Sequence, residues 1–161
     1  MNNIVIQEYS NKYQEQVIDL ILSIQRGEFE VNITKEDQPD LSDIPNFYQS
    51  GGNFWLALHK GQVVGTIALI NIGNQQGALR KMFVKAEYRG KAYELAKLLL
   101  IKLITWAKDQ NMREIYLGTT EKFLAAHRFY EKNEFITIDK KQLPATFPIM
   151  KVDTRFYKLT L

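Results

Sequence analysis

Gly90 and Ala92 stand two apart at the head of a long apolar helical pattern, with Arg89 and Lys91 beside them. Neither carries a large side chain, so the backbone there can approach an anion closely. The first N–H groups of a helix have no partner within it, and the helix dipole adds partial positive charge at the same end. Leu79–Val84 reads as a buried strand, Lys85–Lys91 as a basic turn, and the residues from Ala92 to Lys108 as a helix. Strand, glycine-containing basic turn and helix together make a phosphate-binding arrangement. The same spacing occurs in α/β domains that bind nothing, so the turn alone leaves both readings open.

The elements around this turn follow from periodicity. Ile4–Ile6 opens a first strand, and Tyr13, Val17, Ile18, Ile21 and Ile24 give a helical stripe that Gly27 is expected to stop. An acidic, irregular stretch follows, with Glu28, Glu30, Asp37 and Asp40, and then a short helix near Leu41–Tyr48. Phe54–His59, Val63–Ile72 and Ala78–Val84 form an antiparallel meander joined by glycine turns. The long helix then leads to a short strand, Glu114–Gly118, placed parallel to Ala78–Val84 by the crossover rule. A helix over Glu121–Lys132, a strand Phe135–Ile138, an aromatic loop from Leu143 to Asp153 and a closing strand Arg155–Leu161 complete the chain. This order predicts a mixed α/β (α+β) fold, with a central, mostly antiparallel sheet of six to seven strands and helices on both faces. The length of 161 residues suits one domain over 1–161.

Composition narrows the chemistry. There is no cysteine and there are two histidines, His59 and His127, so neither a thiolate nor a multi-histidine metal site is expected. The net charge of +3 comes without any Lys/Arg block, which suits a small anion and argues against nucleic acid as a partner. No apolar run reaches the ~20 residues that cross a membrane. The first residues lack the basic and apolar regions of a secretory signal, so the expected location is cytoplasmic.

Two segments carry a family resemblance. Glu87-Tyr88-Arg89-Gly90-Lys91-Ala92 resembles the acetyl-CoA motif Q/R-x-x-G-x-G/A of the GNAT N-acetyltransferase superfamily, with Glu87 in place of Gln or Arg. Ala126-His127-Arg128-Phe129-Tyr130-Glu131-Lys132-Asn133-Glu134-Phe135 is similar to the family's A-x-x-x-Y-E-K-x-G-F, with Glu134 in place of Gly. Glu94 stands where relatives often have a small residue, and Phe123 where many have Asn. The element order matches over nearly the whole length.

The resemblance implies transfer of an acetyl group from acetyl-CoA to a primary amine of a small molecule or peptide by direct attack, with no metal. It implies a pyrophosphate site on Arg89, Gly90, Lys91, Ala92, Tyr93 and Glu94, and a backbone donor to the acetyl carbonyl within Met82, Phe83 and Val84. Phe123 and His127 fall near the cofactor by the same token. Tyr130 becomes the general acid for the leaving thiolate, a task that suits a phenol of pKa ~10. Otherwise it is one more core aromatic beside Phe129 and Phe135. The base is drawn from the acidic loop, with Glu28 the choice, although a solvated loop explains the same residues. Lys81 is expected to share a strand face with Phe83. There it is either solvated or reaching toward an acceptor carboxylate. Trp55, Phe29 and the aromatic loop are candidate walls of an acceptor pocket, and Thr119 and Thr120 line the cleft or cap the next helix. The closing strand and aromatic loop offer surface for a homodimer. The alternative is a non-catalytic acyl-CoA-binding or sensing protein of the same fold, to which the departures at Glu94, Phe123 and Glu134 would point.

Overall fold

The computed structural model describes residues 3–90 and 94–161. Its strands form one seven-stranded sheet in the order β1-β2-β3-β4-β5-β7-β6. β1 (Ile4–Glu8), β2 (Asn53–His59), β3 (Gln62–Gly73) and β4 (Gln76–Val84) pair antiparallel in sequence. β5 (Glu114–Thr119) runs parallel to β4, the two joined by a crossover through a helix. β7 (Arg155–Thr160) inserts between β5 and β6 (Ile136–Ile138), antiparallel to both. The helices are α1 (Gln14–Leu22), α2 (Ile44–Phe47), α3 (Leu95–Asp109) and α4 (Leu124–Lys132).

β2 shows why helices cover both faces. All of Phe54–Leu58 is buried, and the side chains alternate. Phe54, Leu56 and Leu58 join Val17, Ile18 and Ile21 of α1 in one core. Trp55 and Ala57 join Leu95, Leu99 and Leu103 of α3 in the other. Trp55 is therefore core, edge-on to Trp106 with ring centroids 5.8 Å apart, and walls no acceptor pocket.

Local departures from the periodic reading bear on the site. The first helix does not stop at Gly27 but continues as a π-helical turn over Ser23–Glu28, a form frequent at functional sites. α4 begins at Leu124 rather than Glu121, and its buried side carries His127 and Tyr130, while Leu124 is 61% exposed. Within β4 the pairing jumps from Ala68↔Arg80 to Thr66↔Phe83, so Lys81 and Met82 together oppose Ile67. Lys81 takes up this bulge with a φ of 53°, and period-2 counting fails across it.

β4 and β5 are paired over three residues only, Gln76–Ala78 against Glu114–Tyr116. Beyond Ala78 the two strands part. The backbone N–H and C=O groups on that edge of β4 have no strand to bond, a costly state unless another partner is supplied.

Candidate active site

The parting of β4 and β5 opens a cavity of about 690 Å³. Leu79 to Val84 form one side, and Leu117 to Thr120 the other. Arg89, Gly90 and Glu94 lie at one end with the first turn of α3, while Phe123, Phe129, Tyr130 and Asn133 come from α4 and its approach. The opposite end is closed by Gln25 from the π-helical turn, Ile33 from the loop after it, and Phe147, Met150 and Asp153 from the aromatic loop.

Most residues expected at the cofactor line this cavity: Met82, Phe83, Val84, Arg89, Gly90, Glu94, Phe123 and Tyr130. Thr119, Thr120, Phe29 and the aromatic loop line it too. Gly90 has a φ of +98°, and a Cβ there would meet nothing within 4 Å, so its role is backbone shape rather than clearance. Lys91, Ala92 and Tyr93 lie outside the described residues. Glu94 is solvent-exposed and holds the left-handed conformation, φ 46°, immediately before α3. The Phe123 ring lies against Phe29, centroids 4.9 Å apart, and Phe83, 6.1 Å.

Two expected roles meet a different arrangement. His127 is no surface residue near a phosphate. It is 4% exposed, on the side of α4 turned toward β7 and away from the cavity lining. Its Nε2 lies 2.9 Å from the Thr120 carbonyl and its Nδ1 3.3 Å from the Arg155 guanidinium. Glu28, the expected base, forms a two-pronged ion pair with the Arg89 guanidinium and is not among the lining residues. Its carboxylate therefore braces the basic turn against the end of the π-helical segment.

Tyr130 sits at the middle of the cavity wall. Its ring packs on Phe129, Phe135 and Tyr157 at 5.4–5.8 Å. Burial, then the nearby Tyr157, pushes its phenol well above the ordinary value. No hydrogen bond to the hydroxyl is found, yet every enclosed side-chain N or O among the described residues has a partner. The hydroxyl therefore opens onto the cavity.

The far end holds charges that sequence reasoning passed over or misjudged. Lys81 is buried, not solvated: its Nζ bonds the Gln38 Oε1 and lies 3.5 Å from the Asp40 carboxylate. Asp40 in turn accepts from the Tyr48 hydroxyl at 2.5 Å, and Gln38 and Gln25 bond each other through both amides. Burial pulls the Lys81 ammonium down to about 8, against the opposing pull of Asp40. Asp153 and Glu94 are the acidic side chains of the cavity lining, and Asp153 is the one at this end. Burial raises its carboxyl, although the Met150 N–H, Arg80 and Lys81 pull the other way. It lies across β5 because residue 118 is glycine; a Cβ there would fall 2.6 Å from the Asp153 Oδ2. Arg80, Gln25 and Asp153 carried one legible signal, a charged Arg80-Lys81 pair inside an otherwise apolar strand.

Among the described residues no group of His, Cys, Asp and Glu gathers to hold a metal. No described helix is long and apolar enough to cross a membrane.

The sequence model of the acetyltransferase (GNAT) family matches residues 18–135. The chain belongs to this family. An acetyltransferase of the GNAT family from Staphylococcus aureus Mu50 superposes with a TM-score of 0.95 at 46% identity, covering 98% of each chain. An acetyltransferase from Streptococcus agalactiae gives 0.95 at 33% identity over the full length of both. In sequence, the chain is 41% identical over 101 residues to an N-acetylaspartate synthetase from Xenopus tropicalis. That match spans 60% of this chain but 36% of the relative, so the chain accounts for about a third of that protein. The GNAT assignment places the parted strands, the basic turn and Tyr130 in an acetyl-transfer fold.

Proposed function

We propose that this protein is an acetyl-CoA-dependent N-acetyltransferase that acetylates a primary amine of a small molecule or peptide by direct attack. The observation that carries the reading is the Tyr130 hydroxyl, open to a cavity that begins at a basic helix-leading turn and ends among Arg80, Lys81 and Asp153. Family membership and a relative named for an N-acetylated product support the choice of acetyl group and of nitrogen.

The residues divide the work as follows. Arg89, Gly90 and the turn before α3 receive the pyrophosphate of the substrate acetyl-CoA, with Glu28 holding Arg89 in place. The unpaired edge of β4 near Met82–Val84 offers backbone donors to the acetyl carbonyl, where charge develops as the amine attacks. The new C–N bond forms as the C–S bond breaks. Tyr130 hydrogen-bonds the departing sulfur and supplies its proton. Asp153, rather than Glu28, is the carboxylate placed to take the proton that the attacking amine gives up. The same reading makes the chain a single cytoplasmic domain that pairs as a homodimer.

Free-thiol release from acetyl-CoA, measured with and without a panel of amines, tests the proposal. Amine-dependent release with an N-acetylated product is the expected result. Acetyl-CoA binding without turnover for any amine would replace it with the non-catalytic acyl-CoA-binding reading.

A further inference from the structure

We propose that the acceptor amine also carries a carboxylate, and that Arg80 binds it, which makes the substrate class an amino acid or a close amino carboxylate. The inference rests on the acetyl-transfer reading and specifies its acceptor. Arg80 lies on β4 two residues beyond the last β4–β5 pair and is 9% exposed. A guanidinium has five N–H donors and cannot shed its charge. Its hydrogen bond in the structure is one weak contact, from Nη2 to the Met150 thioether sulfur at 3.1 Å. It takes part in none of the ion pairs among the described residues. Since no enclosed side-chain nitrogen among the described residues lacks a partner, its remaining N–H groups open onto the cavity it lines.

The neighbouring residue shows that this is not how the fold treats a buried cation in general. Lys81 is matched by Asp40 and Gln38, themselves fixed by Tyr48 and Gln25. Burying a cation is costly unless it is paired and hydrogen-bonded. One cation of the pair is therefore satisfied from within, and the other is left for a group that enters. The planar fork of arginine fits a carboxylate through two parallel bonds. Charge balance points the same way. Arg80 and Lys81 are offset at this end by Asp40 and Asp153. A zwitterionic acceptor adds no net charge to this end, with its carboxylate on Arg80 and its ammonium on Asp153. A polyamine would add uncompensated positive charge beside two buried cations. Ile33, Phe147 and Met150 add apolar walls that close this end, which suits a compact acceptor.

The test compares kcat/KM for glycine, alanine, aspartate and glutamate with their α-carboxamides and with simple alkylamines and polyamines. The free acids are expected to exceed their amides by about 100-fold, equivalent to nearly 3 kcal/mol. Arg80→Gln is expected to raise KM for the acids by a similar factor, leave the amides unchanged and bring the ratio near one. Arg80→Lys, keeping a point charge without the fork, should retain part of the preference. Calorimetric binding of an N-acetylated amino acid against its amide reads the same contact without turnover. Equal use of acids and amides by the unaltered protein overturns the inference, even if the variants fail to fold. So does an unchanged ratio in a folded Arg80→Gln. Thiol release with neutral amines but not with acids sinks this inference alone, whereas no release with any amine sinks the transfer reading beneath it.

Discussion

Tyr130 combines two properties that seldom coincide in one side chain: a ring packed on three aromatic neighbours and a hydroxyl that no group among the described residues holds. Replacing it with Phe keeps the first and removes the second. Tyr130→Phe should lower kcat by about 100-fold, the usual scale for one positioned acid. Acetyl-CoA affinity and the melting temperature should change little. Because burial raises the phenol, the acid form persists throughout the working range. A raised pKa moves any loss of the proton upward in pH, so between pH 7 and 9 Tyr130 contributes no descending limb to the profile. Steady-state kcat against pH for both proteins checks this: the two profiles should be parallel and displaced. At this scale the sequence was partly legible. The Tyr130 segment could be matched by motif, but nothing local told that His127, one turn earlier, would face Thr120 and Arg155 instead of the cavity.

The end of α4 explains a departure from the family pattern in physical terms. The Phe135 N–H bonds the Tyr130 carbonyl at 3.0 Å and the Glu134 N–H bonds the Glu131 carbonyl at 3.3 Å, while Phe135 packs on Tyr130. These contacts are a Schellman termination, and it requires the left-handed conformation at residue 134. Glu134 holds it with a φ of 70°. Glycine, the residue of the family pattern, reaches this conformation without the steric cost that a Cβ brings. Glu134→Gly should therefore stabilise the protein by about 1 kcal/mol, read as an increased urea midpoint at constant slope. It should also leave kcat unchanged, since the termination that fixes Tyr130 is already formed. The element boundaries that the periodicity missed share a cause. The π-helical turn over Ser23–Glu28 and the bulge at Lys81 each insert residues that break a fixed period. Pattern counting carries no information about where a strand or helix will absorb one.

Across the whole molecule, the order of strands was legible because each step rested on a strong rule: glycine turns for the meander, a crossover helix for the parallel pair. The acceptor end was not. Its residues come from three distant stretches, near Gln25, at Arg80-Lys81 and at Phe147–Asp153, and no local spacing links them. Ligand binding should be visible at this scale as well. Acetyl-CoA that binds the folded chain alone stabilises it by mass action, nearly 3 kcal/mol at a hundredfold excess over Kd. Hydrogen exchange should show the new protection concentrated in Leu79–Val84 and Leu117–Thr119, with Gln76–Ala78 already protected. Uniform protection across the sheet would argue against binding between the strands. Seen mechanically, the sheet is two plates, β1 to β4 and β5 to β7, joined directly by three ladder pairs. Two lysines in loops of the second half reach the loop between α1 and α2: Lys122 to the Glu30 carbonyl at 2.6 Å and Lys151 to the Asp37 carboxylate at 3.1 Å. Salt screens the exposed Lys151–Asp37 ion pair and leaves backbone ladders intact, so added salt is expected to weaken that tie while the three β4–β5 pairs hold.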